Sequence, residues 1–268
     1  MTLSLFQYSF VLRAFSAGVI VAIIAPLVGI FLVLRRYSLL ADTFAHVSLA
    51  GLALGLLAGM NPIITALATT VVASLGMERL RVSKKVYGES ALAVFLSGSL
   101  ALATILLSLG RGFNTNLLNY LFGSIVTVTS DDIFVIGTLA VVVIAVLVIF
   151  YKELIYVTFD EEAARVSGIP TRPINTVFMI LTAVTIALAI PIVGVLLISA
   201  LLVVPVVASL QLKKNFIQIV IYAEAISLFS VVSGIIVSFY FNLSTGGTIV
   251  LVMVAIFTGI FLYKNYSH

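Results

Sequence analysis

Long apolar runs recur along almost the whole of this 268-residue sequence, and they constrain its fold more than any other feature. A helix needs about 17–25 consecutive apolar residues to cross the hydrocarbon core of a bilayer. Only 9% of the residues are charged, whereas a soluble domain carries roughly 25%. Polar surface could not cover a core built from these runs. We therefore predict an all-α polytopic membrane protein in which residues 1–268 form a single transmembrane domain.

Nine apolar stretches are candidates for membrane spans, so the sequence predicts eight or nine crossings. A further apolar piece, residues 116–128, is too short to cross and is typical of a re-entrant or interfacial helix. The nine candidates lie near residues 14–34, 38–59, 61–80, 90–110, 131–151, 174–190, 193–212, 216–241 and 247–263.

The basic residues predict the orientation of these spans. Lys and Arg total 14, and 12 of them follow the odd-numbered spans, leaving only Arg13 and Arg111 on the opposite side. Because Lys and Arg mark the cytoplasmic side of membrane proteins, the richer side is predicted to be cytoplasmic. The longer connection on that side, residues 152–173, then lies in the cytoplasm.

The second candidate span carries an acid and a histidine. Asp42 and His46 are four residues apart, so a helix places them on one face, one turn apart. An acid in a membrane helix costs about 2.5–3.5 kcal/mol on insertion scales. Carboxylate oxygen and imidazole nitrogen together suit zinc, manganese or iron, which makes the pair a candidate metal site. The alternative is a structural pair in which Asp42 hydrogen-bonds His46 and joins two helices.

Three glycines lie on roughly the opposite side of the same span. Gly51, Gly55 and Gly59 are spaced four apart, and small residues at this spacing allow a neighbouring helix to approach closely. We expect them to form the packing face of the helix.

Glu224 is the other acid clearly within a span, about eight residues from the start of that span. Acids inside membrane helices commonly line pathways or relay protons. Glu224 is therefore a candidate path-lining residue, with a purely structural role as the alternative.

The cytoplasmic connection contains the signals of a short helix. Thr158 and Glu161 have the spacing of a capping box, and Asp160 is an alternative N-cap. Gly168 can end a helix in the left-handed conformation, and Pro170 prevents its continuation. The sequence predicts about two helical turns here, acting either as a connector or as a docking element.

The sequence lacks the motifs of several nucleotide-binding and catalytic sites. The sequence has no G-x-x-x-x-G-K-[ST] motif for a P-loop nucleotide site, no H-E-x-x-H and no G-x-S-x-G. Its basic residues follow the predicted topology instead of clustering on one element, so no nucleic-acid partner is expected.

Six stretches, in order along nearly the whole chain, carry a resemblance to a known family. They are LLADTFAHVSLAGLALG (39–55), GES (88–90), NYLFGS (119–124), FDEEAARVSG (159–168), VGVLLISALLVVPVVAS (193–209) and GGTIVL (246–251). In these stretches the chain resembles the ABC-type zinc/manganese permease family, the membrane subunit of metal-ion importers.

This resemblance implies a multi-pass protein of the prokaryotic plasma membrane, with a compact helical bundle similar to that of cobalamin and siderophore permeases. It implies a homodimer in membrane lipid, a separate ATPase subunit, and an extracytoplasmic metal-binding protein that delivers Zn²⁺ or Mn²⁺. The chain is then not an enzyme and holds no permanent cofactor. The residues implied to contact the metal are Asp42 and His46, and those implied to couple to the ATPase are Phe159, Asp160, Glu161, Glu162, Ala164 and Gly168.

The resemblance also bears on the metal. Zinc-type members read D-T-hydrophobic-A-H-x-S-L where manganese types read closer to D-A-I-S-H-A-V, and residues 42–49 read DTFAHVSL. Zinc is therefore predicted first and manganese next. Three rival hypotheses remain open: a proton-coupled secondary transporter using Glu224 and Asp42, a permease for metal chelates, and an intramembrane enzyme or scaffold.

Overall fold

A computed structural model describes residues 8–83, 88–110, 120–124 and 128–266, and every regular element in this part of the chain is a helix. The predicted short helix at 116–128 lies largely outside the described residues. The helices are α1 (Ser9–Leu34), α2 (Ser38–Ala58), α3 (Pro62–Ser83), α4 (Gly88–Leu109), α5 (Ser130–Ile149), α6 (Tyr151–Phe159), α7 (Glu161–Val166), α8 (Thr171–Val193), α9 (Ile198–Leu210), α10 (Phe216–Phe241) and α11 (Thr245–Tyr266).

Eight of the described helices are long and apolar enough to cross a membrane: α1 to α5, α8, α10 and α11. The predicted all-α polytopic architecture is therefore confirmed. Each of these helices corresponds to one predicted span, because an uninterrupted apolar run has no other way to satisfy its backbone polar groups in lipid.

The predicted span at 193–212 differs from the others, because its helix, α9, has only 13 residues. The chain nevertheless passes from one end of unit 1 to the other over these residues. Gly246, at the start of α11, packs against the backbone of Val193, at the end of α8. The 26 residues of α10 extend about 39 Å before the short turn into α11. Phe216 therefore lies far from Val193, and residues 194–215 must carry the chain between the two ends.

The chain divides into two compact units, each described here by itself. Unit 1 comprises Met1–Val33, Thr115–Ala140 and Ala189–His268, and thus contains α1, α9, α10 and α11. Unit 2 comprises Leu34–Asn114 and Val141–Leu188, and contains α2, α3, α4, α6 and α7 with most of α8.

In unit 1, Pro26 interrupts the hydrogen bonding of α1, and a side chain of α10 compensates for the loss. Proline has no N–H, so the carbonyl of Ala22, four residues earlier, has no partner within its own helix. The Ser227 hydroxyl donates to this carbonyl oxygen at 2.9 Å. Both residues are completely buried. An unpaired carbonyl in lipid costs several kcal/mol, so this bond is what allows α1 to continue past its proline.

Three glycines bring backbone segments into direct contact at one end of unit 1. Gly123 and Gly194 have φ of +73° and +85°, and a Cβ atom on either of them or on Gly246 would overlap neighbouring backbone. The amide of Val195 donates to the Tyr120 carbonyl at 3.0 Å. Three of the stretches that carry the family resemblance, near residues 120, 194 and 246, therefore meet here. We call this contact the glycine junction.

We predict that Ser227→Ala lowers the free energy of unfolding by about 1 kcal/mol, because the Ala22 carbonyl is left unpaired. In a Pro26→Ala background residue 26 supplies its own N–H, so the same substitution should cost clearly less. Unfolding of the four variants in mixed micelles measures both steps.

The matched control is Ser233→Ala, on the same helix, because the half-buried Ser233 hydroxyl bonds, in the described part of the chain, only to carbonyls of its own helix. This variant should behave as the wild type. An equal cost of Ser227→Ala in the presence and absence of Pro26 would contradict the proposed compensation.

Candidate metal site and coupling segment

Asp42 and His46 are the two partly exposed residues in an otherwise buried stretch of α2. Every other residue from Leu40 to Ala53 is buried, whereas these two are half-buried. The four-residue spacing places both side chains on the same face of the helix. The helix therefore presents one carboxylate and one imidazole together.

The side chains of Asp42 and His46 are not hydrogen-bonded to each other. Among the described residues no hydrogen bond joins Asp42 to His46, and the Nδ1 atom of His46 is buried without any hydrogen-bond partner. Leaving such an atom unpaired costs about 1–3 kcal/mol. The structural brace that the sequence left open as an alternative is therefore not formed in this structure. No group of three or more potential metal ligands occurs in the described part of the chain.

The pair lies in the first half of α2. This helix begins at Ser38 and has 21 residues, which extend about 31 Å at 1.5 Å per residue. Asp42 lies about 6 Å and His46 about 12 Å along it. By the predicted orientation, the pair is nearer the cytoplasmic end.

The opposite face of α2 packs closely on α3. A Cβ atom at Gly51 would overlap the Thr69 hydroxyl and lie 2.9 Å from the Cα of Ala66. The hydroxyls of Ser48 and Thr70 are hydrogen-bonded across the same interface at 2.6 Å. A close backbone approach and a buried polar bond together fix the rotation of α2, and with it the direction of Asp42 and His46.

The other two predicted packing glycines behave differently from each other. A Cβ at Gly55 would overlap the Thr65 hydroxyl and lie 3.0 Å from the Cα of Pro62. At Gly59 a Cβ would meet nothing within 4 Å. Gly59 instead ends α2 with φ 65°, the left-handed C-cap conformation that glycine adopts without steric cost. Its place is in the helix cap and not in the α2–α3 contact.

Glu224 lies in α10, in unit 1, whereas Asp42 and His46 belong to unit 2. Both of its carboxylate oxygens are buried and have no hydrogen-bond partner among the described residues. No ligand role follows from this placement.

The connection that was predicted to be cytoplasmic forms two helices where the sequence predicted one. The first, α6, continues α5 after Phe150, and the second is α7. The Asp160 carboxylate accepts from the Ala163 amide at 2.8 Å and caps α7. Gly168, at φ 84°, follows its C-terminus. The N-cap and stop signals at these two residues were therefore interpreted correctly.

The capping-box assignment for Thr158 and Glu161, to which Asp160 was the alternative, was wrong. Thr158 lies inside α6, where its hydroxyl donates to the Leu154 carbonyl and accepts from Arg35. The spacing to Glu161 resembled a capping box only because α6 was not foreseen.

The two faces of α7 have different surroundings. Ala164 is completely buried, while Val166 is 90% exposed. Phe159, just before α7, is 67% exposed, and Glu162 is also exposed. Large apolar side chains that are exposed to solvent are typical of a contact surface. Val166 was missed from the sequence, because a single valine in a polar loop carries no pattern.

Arg35, between α1 and α2, contacts the helices on both sides of α7. Its Nε donates to the Thr158 hydroxyl and its Nη1 to the Asn175 amide oxygen, each at 2.8 Å. Its guanidinium lies 4.5 Å from the centre of the Phe178 ring. Burial lowers the pKa of Arg35 to about 10, so the group keeps its charge at neutral pH.

Arg81, near the end of α3, makes a second polar cluster. Its Nη1 donates to the Tyr37 hydroxyl at 2.7 Å, and its Nε donates to the Glu78 carboxylate at 2.8 Å. The Glu161 carboxylate of α7 lies 3.9 Å from Nη1. None of these contacts was foreseen, because Tyr37 and Glu161 are far from Arg81 in sequence and the basic residues were interpreted as topology signals.

Comparison with known proteins supports one family. The profile described as the ABC 3 transport family matches residues 7–264. A protein of Treponema pallidum named "Probable metal transport system membrane protein" is 37% identical, over 93% of this chain and 94% of its own length. A manganese transport system membrane protein of Listeria monocytogenes is 30% identical over 97% and 92%. A high-affinity zinc uptake system membrane protein of Haemophilus influenzae is 29% identical over 91% and 94%.

Two solved structures are similar to nearly the whole chain. PsaBC from Streptococcus pneumoniae, solved in complex with a Fab, superimposes with a TM-score of 0.86 at 27% identity, covering 96% of this chain and 92% of that chain. A metal-chelate type ABC transporter in an inward-facing conformation gives a TM-score of 0.74 at 15% identity, covering 95% and 86%. The second likeness shows a shared fold, and with it the predicted similarity to chelate permeases is confirmed.

We predict that Gly51→Ala lowers the free energy of unfolding by about 1–3 kcal/mol, because the added methyl group separates α2 from α3. Thermal unfolding in detergent measures the change. The control is Gly98→Ala in α4, where a Cβ would meet nothing within 4 Å. That variant should be neutral or gain up to about 1 kcal/mol from helix propensity. Equal stability of the two variants would contradict the close α2–α3 packing.

Proposed function

Because the chain belongs to the ABC 3 transport family and is the membrane permease of an ATP-driven metal-ion importer, we propose that its cargo is Zn²⁺ and that Asp42 and His46 contact the ion. The chain is not itself an enzyme, since ATP is hydrolysed by a separate subunit of such importers. It is a multi-pass protein of the plasma membrane.

The observation that carries the proposal is the unpartnered imidazole. His46 Nδ1 is buried and has no hydrogen-bond partner among the described residues, and the half-buried Asp42 carboxylate, one helical turn away, does not bond to it. A passing cation would supply the partner that this nitrogen lacks. In a hydrogen-bonded structural pair, Asp42 and His46 would instead satisfy each other, and neither would be free to bind a metal ion.

Two such pairs form a better site than one. In a homodimer whose two-fold axis passes near α2, the pairs from both protomers would supply two carboxylates and two imidazoles, four ligands of the kind that zinc accepts in tetrahedral sites. The same donors bind Zn²⁺ more tightly than Mn²⁺, in accordance with the general order of divalent metals. The DTFAHVSL sequence at residues 42–49 supports the same choice.

The coupling segment gives the ATPase a place to bind. Phe159 and Val166 expose apolar surface beside the charged residues of α7. A cleft of about 720 Å³ adjoins this helix and is lined by Glu162, Arg165 and Arg172, among others. An ATPase subunit docked on α7 would transmit its motion there, while an extracytoplasmic protein delivers the metal at the other end.

We expect His46→Ala, and likewise Asp42→Ala, to abolish ⁶⁵Zn²⁺ uptake by the reconstituted permease–ATPase complex, because each removes one ligand type from the path. Membrane insertion and ATPase binding should be unchanged, since neither side chain bonds to its neighbours. Competition by unlabelled Mn²⁺ against ⁶⁵Zn²⁺ measures the preference between the two metals.

His268→Ala, which removes the chain's other histidine, is the control and should transport normally. Wild-type uptake by His46→Ala would refute the site. Uptake without the ATPase would favour a proton-coupled transporter, and uptake of an intact chelate would favour a chelate permease. Preferential transport of Mn²⁺ would refute zinc as the cargo.

A further inference from the structure

We propose that a closed ring of side chains fixes α7 to the start of α2, so that the coupling helix and the metal-contacting helix move as one body. Asn175 and Tyr37 are the positioning residues of this ring. The inference rests on the proposed function for its purpose, but not for its geometry. All members of the ring belong to unit 2.

One half of the ring passes through Asn175, which is 3% exposed. Its side-chain oxygen accepts from Arg35 Nη1 at 2.8 Å, and its side-chain nitrogen donates to Glu161 Oε1 at 2.9 Å. Both ends of one amide are thus used to join Arg35, in the turn between α1 and α2, to the first residue of α7. A hydrogen bond to a charged group on each side makes both contacts stronger than neutral ones.

The other half passes through Arg81. The Glu161 Oε2 atom lies 3.9 Å from Arg81 Nη1, and the same nitrogen donates to the Tyr37 hydroxyl at 2.7 Å. Arg81 is held in place from behind by Glu78, whose two carboxylate oxygens accept from its Nε and Nη2. Glu78 is 4% exposed, so this salt bridge is protected from solvent screening.

The ring closes through the backbone of a tight turn. Arg35 and Tyr37 are separated only by Arg36, whose φ of 58° is unusual for a residue other than glycine. A left-handed conformation at such a residue costs about 1–2 kcal/mol and persists only where its surroundings fix it. Glu161 therefore holds this turn from both sides, through Asn175 and through Arg81.

The consequence for transport follows from the position of the turn. Tyr37 is the residue that precedes α2, five positions before Asp42. A rigid helix transmits a displacement of its first turn along its whole length. When α7 moves, the ring carries Tyr37 with it, and the Asp42/His46 pair is displaced together with α7 instead of lagging behind a flexible loop.

The experiment uses the cysteine-free chain in the reconstituted permease–ATPase complex. Spin labels at Leu39→Cys, 60% exposed in α2, and at Ser167→Cys, exposed just after α7, report the α2–α7 distance with and without ATP. In the wild-type background we expect a single narrow distance that ATP does not change. Tyr37→Phe, which deletes one hydroxyl, and Asn175→Ala should each broaden it.

Transport by the same variants provides the functional measurement. We expect the metal transported per ATP hydrolysed to fall about fivefold or more, with ATPase binding unchanged. The matched control is Thr176→Ala, the next residue in α8, whose half-buried side chain bonds, among the described residues, only to the Arg172 carbonyl of its own helix. This variant should match the wild type in both measurements. Tyr37→Phe keeps the aromatic packing, so it remains informative if Asn175→Ala does not fold.

A wild-type α2–α7 distance that changes on ATP binding would overturn the proposal, as would unchanged transport per ATP in both ring variants. The distance measurement needs no metal. A constant distance together with failure of His46→Ala to affect uptake would therefore reject the metal site and leave the ring standing.

Discussion

The structure depends on one constraint: inside a bilayer, the protein itself must satisfy its backbone and side-chain polar groups. Ser227 pairs the carbonyl that Pro26 leaves open, and Ser48 pairs with Thr70 between α2 and α3. The Nδ1 atom of His46, like the carboxylate of Glu224, is one of several buried polar atoms that have no hydrogen-bond partner in the described part of the chain. His46 differs from Glu224 in its place, because it lies one helical turn from Asp42 on the face where a cation is proposed to pass.

Much of the fold could be predicted from the sequence, because a membrane helix is recognised by the length and apolarity of its sequence. The eight long helices, the shared face of Asp42 and His46, and the cap and stop of α7 all follow from local pattern. The shortness of α9 did not, since the apolar run at 193–212 is long enough for a full span. Gly194, at φ 85°, takes the start of that run out of the helix, and only the contacts of the glycine junction require this conformation.

The polar ring around Arg35 and Arg81 could not be predicted for a different reason. Arg35 and Asn175 are 140 positions apart, and each has an ordinary explanation alone, as a basic residue predicted to be cytoplasmic and as an amide at the start of a predicted span. A tertiary contact between single polar residues leaves no periodicity to detect. The same limit applies to the contact between Tyr37 and Arg81, which are 44 positions apart.

The bond between Ser227 and Ala22 also has a consequence for biogenesis. The two residues are 205 positions apart, and α1 is the first described helix to be synthesised, whereas α10 is the second to last. While the intervening helices are being inserted, the Ala22 carbonyl has no partner from its own helix and none yet from α10. The first helix is therefore inserted with one unpaired carbonyl. The packing of unit 1 is completed only when the C-terminal helices are inserted and Ser227 reaches this carbonyl.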